Sequence, residues 1–245
     1  MKSLSDQIEA FIYEFYGYGN PAGRYWLIGM EEGGGESLEE VEMRLQVWRA
    51  LGEPKTADLA EFHRRLGIPQ HFQDPVALQH TWAHWIRLVL AASGKSSKGD
   101  QVKVYQRDSL GRAAGETCLL ELLPLPSPNT GAWYYRDWFD LSYLASRRLY
   151  KKTCLPMRLE GIRRMIAQHR PNMVICYGMS YRRWFEQIAG EPFKDNITGG
   201  FAWVEKAGSC YLLTKHPAAR RVSSEYFERA GEFIRLHCRA DHDDI

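Results

Sequence analysis

The sequence predicts a single α/β domain, a three-layer α/β/α arrangement around a mostly parallel sheet, and three observations carry that prediction. Short apolar runs alternate with amphipathic stretches along all 245 residues. The apolar runs are continuous rather than alternating, which is the pattern of strands buried on both faces. No serine- or glycine-rich linker and no repeat divides the chain, so residues 1–245 read as one domain.

The elements follow in order. Leu4, Ile8, Phe11, Ile12 and Phe15 recur at helical spacing, so residues 4–16 open the chain as an amphipathic helix. The segment GYGNPAG breaks it, and YWLIGM (25–30) reads as a buried strand that feeds the loop EEGGGE. Helices are expected over about 37–51 and 75–92, with a proline-bearing stretch between them. TCLLELLPL (117–125) is a second buried strand, ended by prolines at 124, 126 and 128 that cannot donate to a ladder. A long helix over about 156–168 precedes a third strand, NMVICYG (172–178). SYRRWFEQIAG reads as a helix with Ser180 as its N-cap, FAWVEKAGSCYLLTKH as two strands around a turn, and 224–238 as a closing helix.

Composition excludes several classes. With 44% hydrophobic and 25% charged residues, the chain is neither disordered, collagen-like nor a coiled coil. No apolar run approaches the roughly 18 residues of a membrane span, and acids interrupt the N-terminal stretch where a signal peptide needs apolar residues, so a cytoplasmic protein without membrane contact is expected. Five cysteines (118, 154, 176, 210 and 238) are odd in number and never spaced as C-x-x-C. They are expected to be reduced, mostly buried thiols, without a zinc or iron–sulfur site. The net charge of +2 is unevenly spread: residues 31–61 hold nine acids against three bases, and residues 146–183 hold ten bases against Glu160 alone. The basic stretch is either a polyanion surface or a pair of solvated helix faces.

Ligands of open α/β sheets sit outside the carboxyl ends of the strands, which singles out the loops at 31–35, 124–133 and 216–221. Glu31 and Glu32 followed by Gly33, Gly34 and Gly35 hold carboxylates at a strand end beside a backbone that a ligand can approach closely; a flexible acidic turn has the same composition. Neither this loop nor Gly94-Lys95-Ser96 has the spacing of a nucleotide-binding loop, since Val89 stands where a Walker motif needs glycine. In LLTKHPAARR, His216 on a rigid turn can donate to a developing anion, and Arg220 and Arg221 can reach phosphates; a capping histidine before a surface helix is the plainer reading. His80 and His84 share a helix face but lack a third ligand and an intervening glutamate, so no metal is expected. The run GAWYYRDW follows a strand-end loop and is the aromatic cluster best placed to meet a ligand.

Taken in order, LIGMEEGGG, LLELLPLPSPN, PNMVICYGMSYRRWF and LLTKHPAARR resemble the strand-end motifs of the uracil-DNA glycosylase superfamily, over residues 25–234 with extra material at about 36–75. Two departures stand out: Glu32 replaces the proline of the first motif, and Glu121 stands where many members have the asparagine that reads uracil. The resemblance implies a monofunctional DNA glycosylase with DNA as its partner, without cofactor or metal, acting as a monomer. Breaking the base–deoxyribose bond develops positive charge on the sugar and negative charge on the base. The resemblance gives Glu31 the role of orienting water and stabilising the sugar cation, with Glu32 beside it, and His216 that of donating to the departing base. Glu121, Gly29 and Met30 would then meet the flipped base, and Gly33, Gly34, Gly35, Ser127, Arg220 and Arg221 the DNA.

An ionised Glu121 accepts from the amino group of cytosine and repels the carbonyl of uracil, which favours a modified cytosine, such as one protecting phage DNA, and hence a role in antiviral defence. A protonated Glu121 donates instead and restores uracil reading, hence base-excision repair. A base-sensing DNA-binding module without turnover is the reading from another class. A hydrolase acting on something other than nucleic acid would be favoured if the basic stretch lay away from the motif loops.

Overall fold

A computed structural model describes residues 3–129 and 131–238. Its strands are β1 (Gly17–Gly19), β2 (Tyr25–Glu31), β3 (Thr56–Ala57), β4 (Thr117–Leu123), β5 (Met173–Tyr177), β6 (Lys194–Asn196), β7 (Phe201–Lys206) and β8 (Ser209–Thr214). They form one sheet in the order β3-β1-β4-β2-β5-β8-β7-β6. The centre, β4-β2-β5-β8, is parallel, and antiparallel pairs join β1 to β4 and run outward from β8 through β7 to β6.

The helices are α1 (Leu4–Glu14), α2 (Leu38–Ala50), α3 (Leu59–Arg65), α4 (His80–Ala92), α5 (Gln101–Asp108), α6 (Tyr135–Trp138), α7 (Arg147–His169), α8 (Arg182–Ala189) and α9 (Ser224–His237). Side-chain alternation assigns the two layers. Trp26 of β2 meets His169 of α7 on one face, and Tyr177 of β5 meets Trp85 of α4 on the other. Helices α1 and α8 join the α7 layer, while α5 and α9 pack against α4. The expected α/β/α sandwich is thus the observed fold. No helix among the described residues is long and apolar enough to cross a membrane.

Several elements differ from the sequence expectation. The long helix begins at Arg147, not near 156: Ser146 caps it by accepting from the Leu149 N–H, and Pro156 sits inside. GYG is not a break but strand β1, because glycine at 17 lets the backbone press on β4; a Cβ there would strike the Leu119 carbonyl oxygen. Ser180 does not cap α8, whose N-cap is Tyr181. Cys118, Cys154 and Cys176 are buried thiols, as expected, but Cys210 and Cys238 form a disulfide that the odd number and wide spacing concealed. It ties the end of α9 to the start of β8.

One buried cation locks the α7 layer to the sheet. Arg158 of α7 has no solvent exposure. Its guanidinium donates to the carbonyls of Phe15 (2.8 Å), Glu121 (2.8 Å) and Leu122 (3.2 Å), and lies 3.9 Å from the centroid of the Tyr16 ring. Buried carbonyls left without a donor cost about 1–3 kcal/mol each. Arg158→Met is therefore expected to destabilise the fold by about 3–5 kcal/mol, seen as a lower urea midpoint at unchanged slope.

Candidate active site

The parallel register builds the floor of the site. Gly29 of β2 pairs with Glu121 of β4, and Ile28 pairs with Cys176, which brings Tyr177 beside Gly29 on the other flank. Glu121, Gly29 and Tyr177 thus form one row across three adjacent strands, facing the α4 layer. A Cβ on Gly29 would collide with the Tyr177 hydroxyl and with Glu121 Oε2, so only glycine leaves the two side chains room to meet above it. They do meet: the Tyr177 hydroxyl donates to Glu121 Oε1 at 2.5 Å. Oε2 of Glu121 is buried and has no partner.

Above this row lies a cavity of about 710 Å³. Met30, Glu31, Glu32 and Gly33 enter it from the end of β2, Ser127 and Asn129 from the loop after β4, Ser180 and Tyr181 from the turn after β5, and His216 and Ala218 from the loop after β8. The strand-end loops selected in the sequence therefore converge on one space. Its remaining wall lies outside the strand-end loops: Arg44, Leu59, His63 and His71, all from the 36–75 stretch, line it together with Trp82 and Trp85 of α4, and the His63 and His71 rings pack edge-on to Trp82 at 5.4 and 5.5 Å.

The two adjacent acids are held differently. Glu31 Oε1 accepts from Arg147 Nη1 at 2.6 Å, while its buried Oε2 has no partner. Arg147 lies at the start of α7, and its other nitrogen donates to Ser127 Oγ, to the Asn129 carbonyl at 3.0 Å and to that of Ala132 at 3.2 Å. One guanidinium therefore fastens the β2 acid to the β4 loop. Glu32 turns the other way, accepting from Arg44 Nη1 at 2.9 Å and from the Tyr18 hydroxyl at 3.1 Å. With both of these donors on Oε2, Glu32 serves as a structural anchor of the loop rather than a second free acid.

The glycines are likewise divided. Gly33 is exposed and lines the cavity. The N–H groups of Gly35 (2.9 Å) and Glu36 (3.1 Å) instead donate to Glu40 Oε2, so part of the backbone expected to meet DNA already holds a carboxylate of the protein. Gly34 lies against the same carboxylate.

His216 stands at the cavity mouth, its ring edge-on to Tyr177 at 5.6 Å. The Ala218 N–H donates to Nδ1 at 3.1 Å, which leaves the proton of the neutral ring on Nε2. Desolvation lowers the imidazole pKa, so the ring is a neutral Nε2–H donor at pH 7. Arg220 and Arg221 are exposed beyond the mouth and do not line the cavity. Lys151 of the basic stretch lies 5.8 Å from the Tyr181 ring centroid, so that stretch adjoins the motif loops rather than falling away from them. In GAWYYRDW, Tyr135 is buried and donates to the Pro126 carbonyl, whereas Tyr134 is exposed.

Among the described residues, no group of three or more His, Cys, Asp or Glu forms a metal cluster. His84 stacks on Phe227 at 4.8 Å, so the HTWAH spacing serves the α4–α9 contact. No protein-family model and no curated relative matches the chain, so the geometry carries the functional argument.

Glu121 differs from the other acids in having no arginine side chain on its carboxyl group. Burial pushes its pKa up to about 8; the Tyr177 hydrogen bond opposes the rise, and the Glu32 and Glu31 charges add to it. At neutral pH the carboxyl is protonated, the alternative that the sequence left open. Because the folded pKa exceeds the unfolded one, this group's stabilisation is complete below about pH 4.5 and is lost as pH rises to about 8. Between those limits Glu121→Gln is expected to gain stability relative to the native chain, by at most about 1.4 kcal/mol per pH unit. Paired urea titrations at pH 5, 6, 7 and 8 measure that difference.

Proposed function

We propose that the protein is a monofunctional DNA glycosylase that flips a modified base from DNA and hydrolyses its N-glycosidic bond. The observation that carries the reading is that Glu31 and His216 line one cavity. A carboxylate with one anchored and one unpartnered oxygen shares that space with a neutral imidazole whose donor is on Nε2. Heterolysis of a glycosidic bond asks for this pair of charges. Glu31 Oε2 orients the attacking water and stabilises the sugar cation, while Arg147 holds the carboxylate in place through Oε1. His216 donates to the electron-rich base as the bond lengthens.

Three further features support DNA and a base larger than uracil. The basic stretch reaches the rim through Arg147 and Lys151, and exposed Arg148, Lys152, Arg220 and Arg221 suit the phosphates on either side of a flipped nucleotide. The cavity of about 710 Å³ falls in the roughly 300–1,000 Å³ range of sites for drug-sized ligands, far more room than a bare pyrimidine fills. Its extra wall of His63, His71, Trp82 and Trp85 offers aromatic faces and polar edges to a bulky substituent. Protonation of Glu121 removes the amino-group argument for cytosine, because the acid donates to a ring nitrogen or carbonyl of either pyrimidine; the size of the cavity and its aromatic wall are what favour a substituted base, and a modified cytosine read through its acceptors is the preferred one. A substituted cytosine of this kind protects phage DNA, and its removal would serve antiviral defence. Uracil repair is the second reading, favoured by the same protonated Glu121, which can donate to a uracil carbonyl.

Base release from duplex and single-stranded oligonucleotides carrying one uracil, hypoxanthine, 5-hydroxymethylcytosine or glucosylated hydroxymethylcytosine tests the proposal, with alkali revealing abasic sites. Release from a substituted cytosine is expected, falling at least about 10²-fold in Glu31→Gln. Release from uracil alone selects the repair reading, and binding without release from any base selects a base-sensing module.

A further inference from the structure

We propose that Glu121 is the proton donor of the reaction: its carboxyl, held by Tyr177 through Oε1, transfers a proton to a ring nitrogen or carbonyl oxygen of the departing base. This deepens the glycosylase reading and rests on it.

The geometry separates the two donors of the site. His216 is neutral, and a neutral imidazole donates a hydrogen bond but surrenders its Nε2 proton only at great cost, so it polarises the base without protonating it. Glu121 has what His216 lacks. Its carboxyl lines the cavity, Oε1 accepts from the Tyr177 hydroxyl, and the buried Oε2 has no partner in the protein. A buried carboxyl oxygen without a partner calls for an explanation, and a catalytic role is one of the few available. The Gly29 floor allows the carboxyl and the tyrosine to sit side by side, and the clamp of Arg158 on the Glu121 carbonyl fixes the peptide that carries the carboxyl.

The surrounding groups keep the proton in place before substrate arrives. The groups that act on the Glu121 carboxyl are Tyr177 from β5 and Glu31 and Glu32 from the end of β2, with Arg158 of α7 acting from the opposite face of the sheet. The two carboxylates and burial disfavour a third negative charge, and the Tyr177 hydroxyl and the Arg158 guanidinium act the other way without outweighing them. A carboxylic acid whose pKa lies near the working pH is well matched to give up its proton in the transition state.

The step balances. The bond between C1′ and the base nitrogen breaks, and its electron pair stays on the base. The Glu121 proton moves to a ring nitrogen or carbonyl oxygen, so the base departs neutral. Water forms the new C1′–O bond and leaves its proton on Glu31. Glu121, now a carboxylate accepting from Tyr177, regains its proton from solvent as Glu31 releases one.

Glu121→Gln is the discriminating variant, because the amide still donates a hydrogen bond but cannot transfer a proton. Single-turnover release from the best base of the panel is followed between pH 5.5 and 9 for the native chain and the variant. The native rate is expected to fall as the pH passes the titration of Glu121, and the variant to be slower by about 10²–10⁴-fold and flat across the same range. The deficit is expected to shrink when the leaving base is made electron-poor at the same position, as in 5-formylcytosine in place of 5-hydroxymethylcytosine, because such a base leaves more easily without a proton. Infrared difference spectra supply a readout independent of turnover: a protonated carboxyl band at pH 7 is expected in the native chain and absent in the variant. Release by Glu121→Gln within threefold of native with the same pH profile, or an ionised Glu121 at pH 7, overturns the inference and leaves the glycosylase reading standing. Absence of release by the native chain from every base overturns both.

Discussion

The position of the site depends on Arg158. A guanidinium buried without a carboxylate partner is costly, and this one is tolerated because main-chain carbonyls from α1's exit and from β4 surround it and Tyr16 covers its face. Burial lowers its pKa, yet an arginine remains charged under such conditions. The same five-donor group that closes the α7 layer against the sheet holds the peptide of Glu121. Packing and chemistry therefore share an atom: the carbonyl that Arg158 binds belongs to the residue whose carboxyl lines the cavity. Through that link the α7 layer, which carries the basic stretch on its outer side, is kept in register with the cavity on the opposite face.

A second constraint comes from the sheet. Parallel pairing fixes which residues stand side by side, and Glu121, Gly29 and Tyr177 are neighbours by register. Glycine in the middle of a buried strand weakens it by removing a side chain. Here the absent side chain is the space in which carboxyl and phenol meet. Larger residues to either side, Leu27 and Ile175 on the same face, keep the core filled below that row.

The fold was legible where the chain obeys local rules. Strands β2, β4, β5, β7 and β8 and helices α1, α2, α4 and α9 follow from apolar period, glycine and proline punctuation, and caps. Strand β1 was hidden because its glycines signal a turn unless a partner strand is known. The start of α7 was misplaced because Pro156, favourable at a first helical turn, sits within the helix, and the Ser146 cap was overlooked. At the site, the loops with Glu31, Glu121 and His216 were legible as strand ends. Arg147, Arg44 and Tyr177 were not, since their partners lie 116, 12 and 56 residues away in sequence. A charge count placed Arg147 in a basic run and Arg44 in an acidic one without saying what either faces. The stretch at 36–75 was read as an addition to the fold, yet it supplies a wall of the cavity because α3 folds back over the α4 side of the sheet.

Charge bookkeeping ties these features to function. Three carboxyl groups line the cavity, and two arginines reach them: Arg147 on Glu31 and Arg44 on Glu32. The third, Glu121, has no cationic partner on its carboxyl oxygens, and burial raises its pKa, so protonation neutralises it. The consequence is a cavity close to neutral rather than strongly acidic. On the glycosylase reading that balance matters, because three free carboxylates would repel a phosphate backbone at the rim and would leave no group able to give a proton to a base. On that reading Arg147 holds Glu31 on the sugar side, and burial leaves Glu121 protonated on the base side. The same sheet thus holds like groups in different surroundings, separated by whether an arginine side chain reaches each carboxyl.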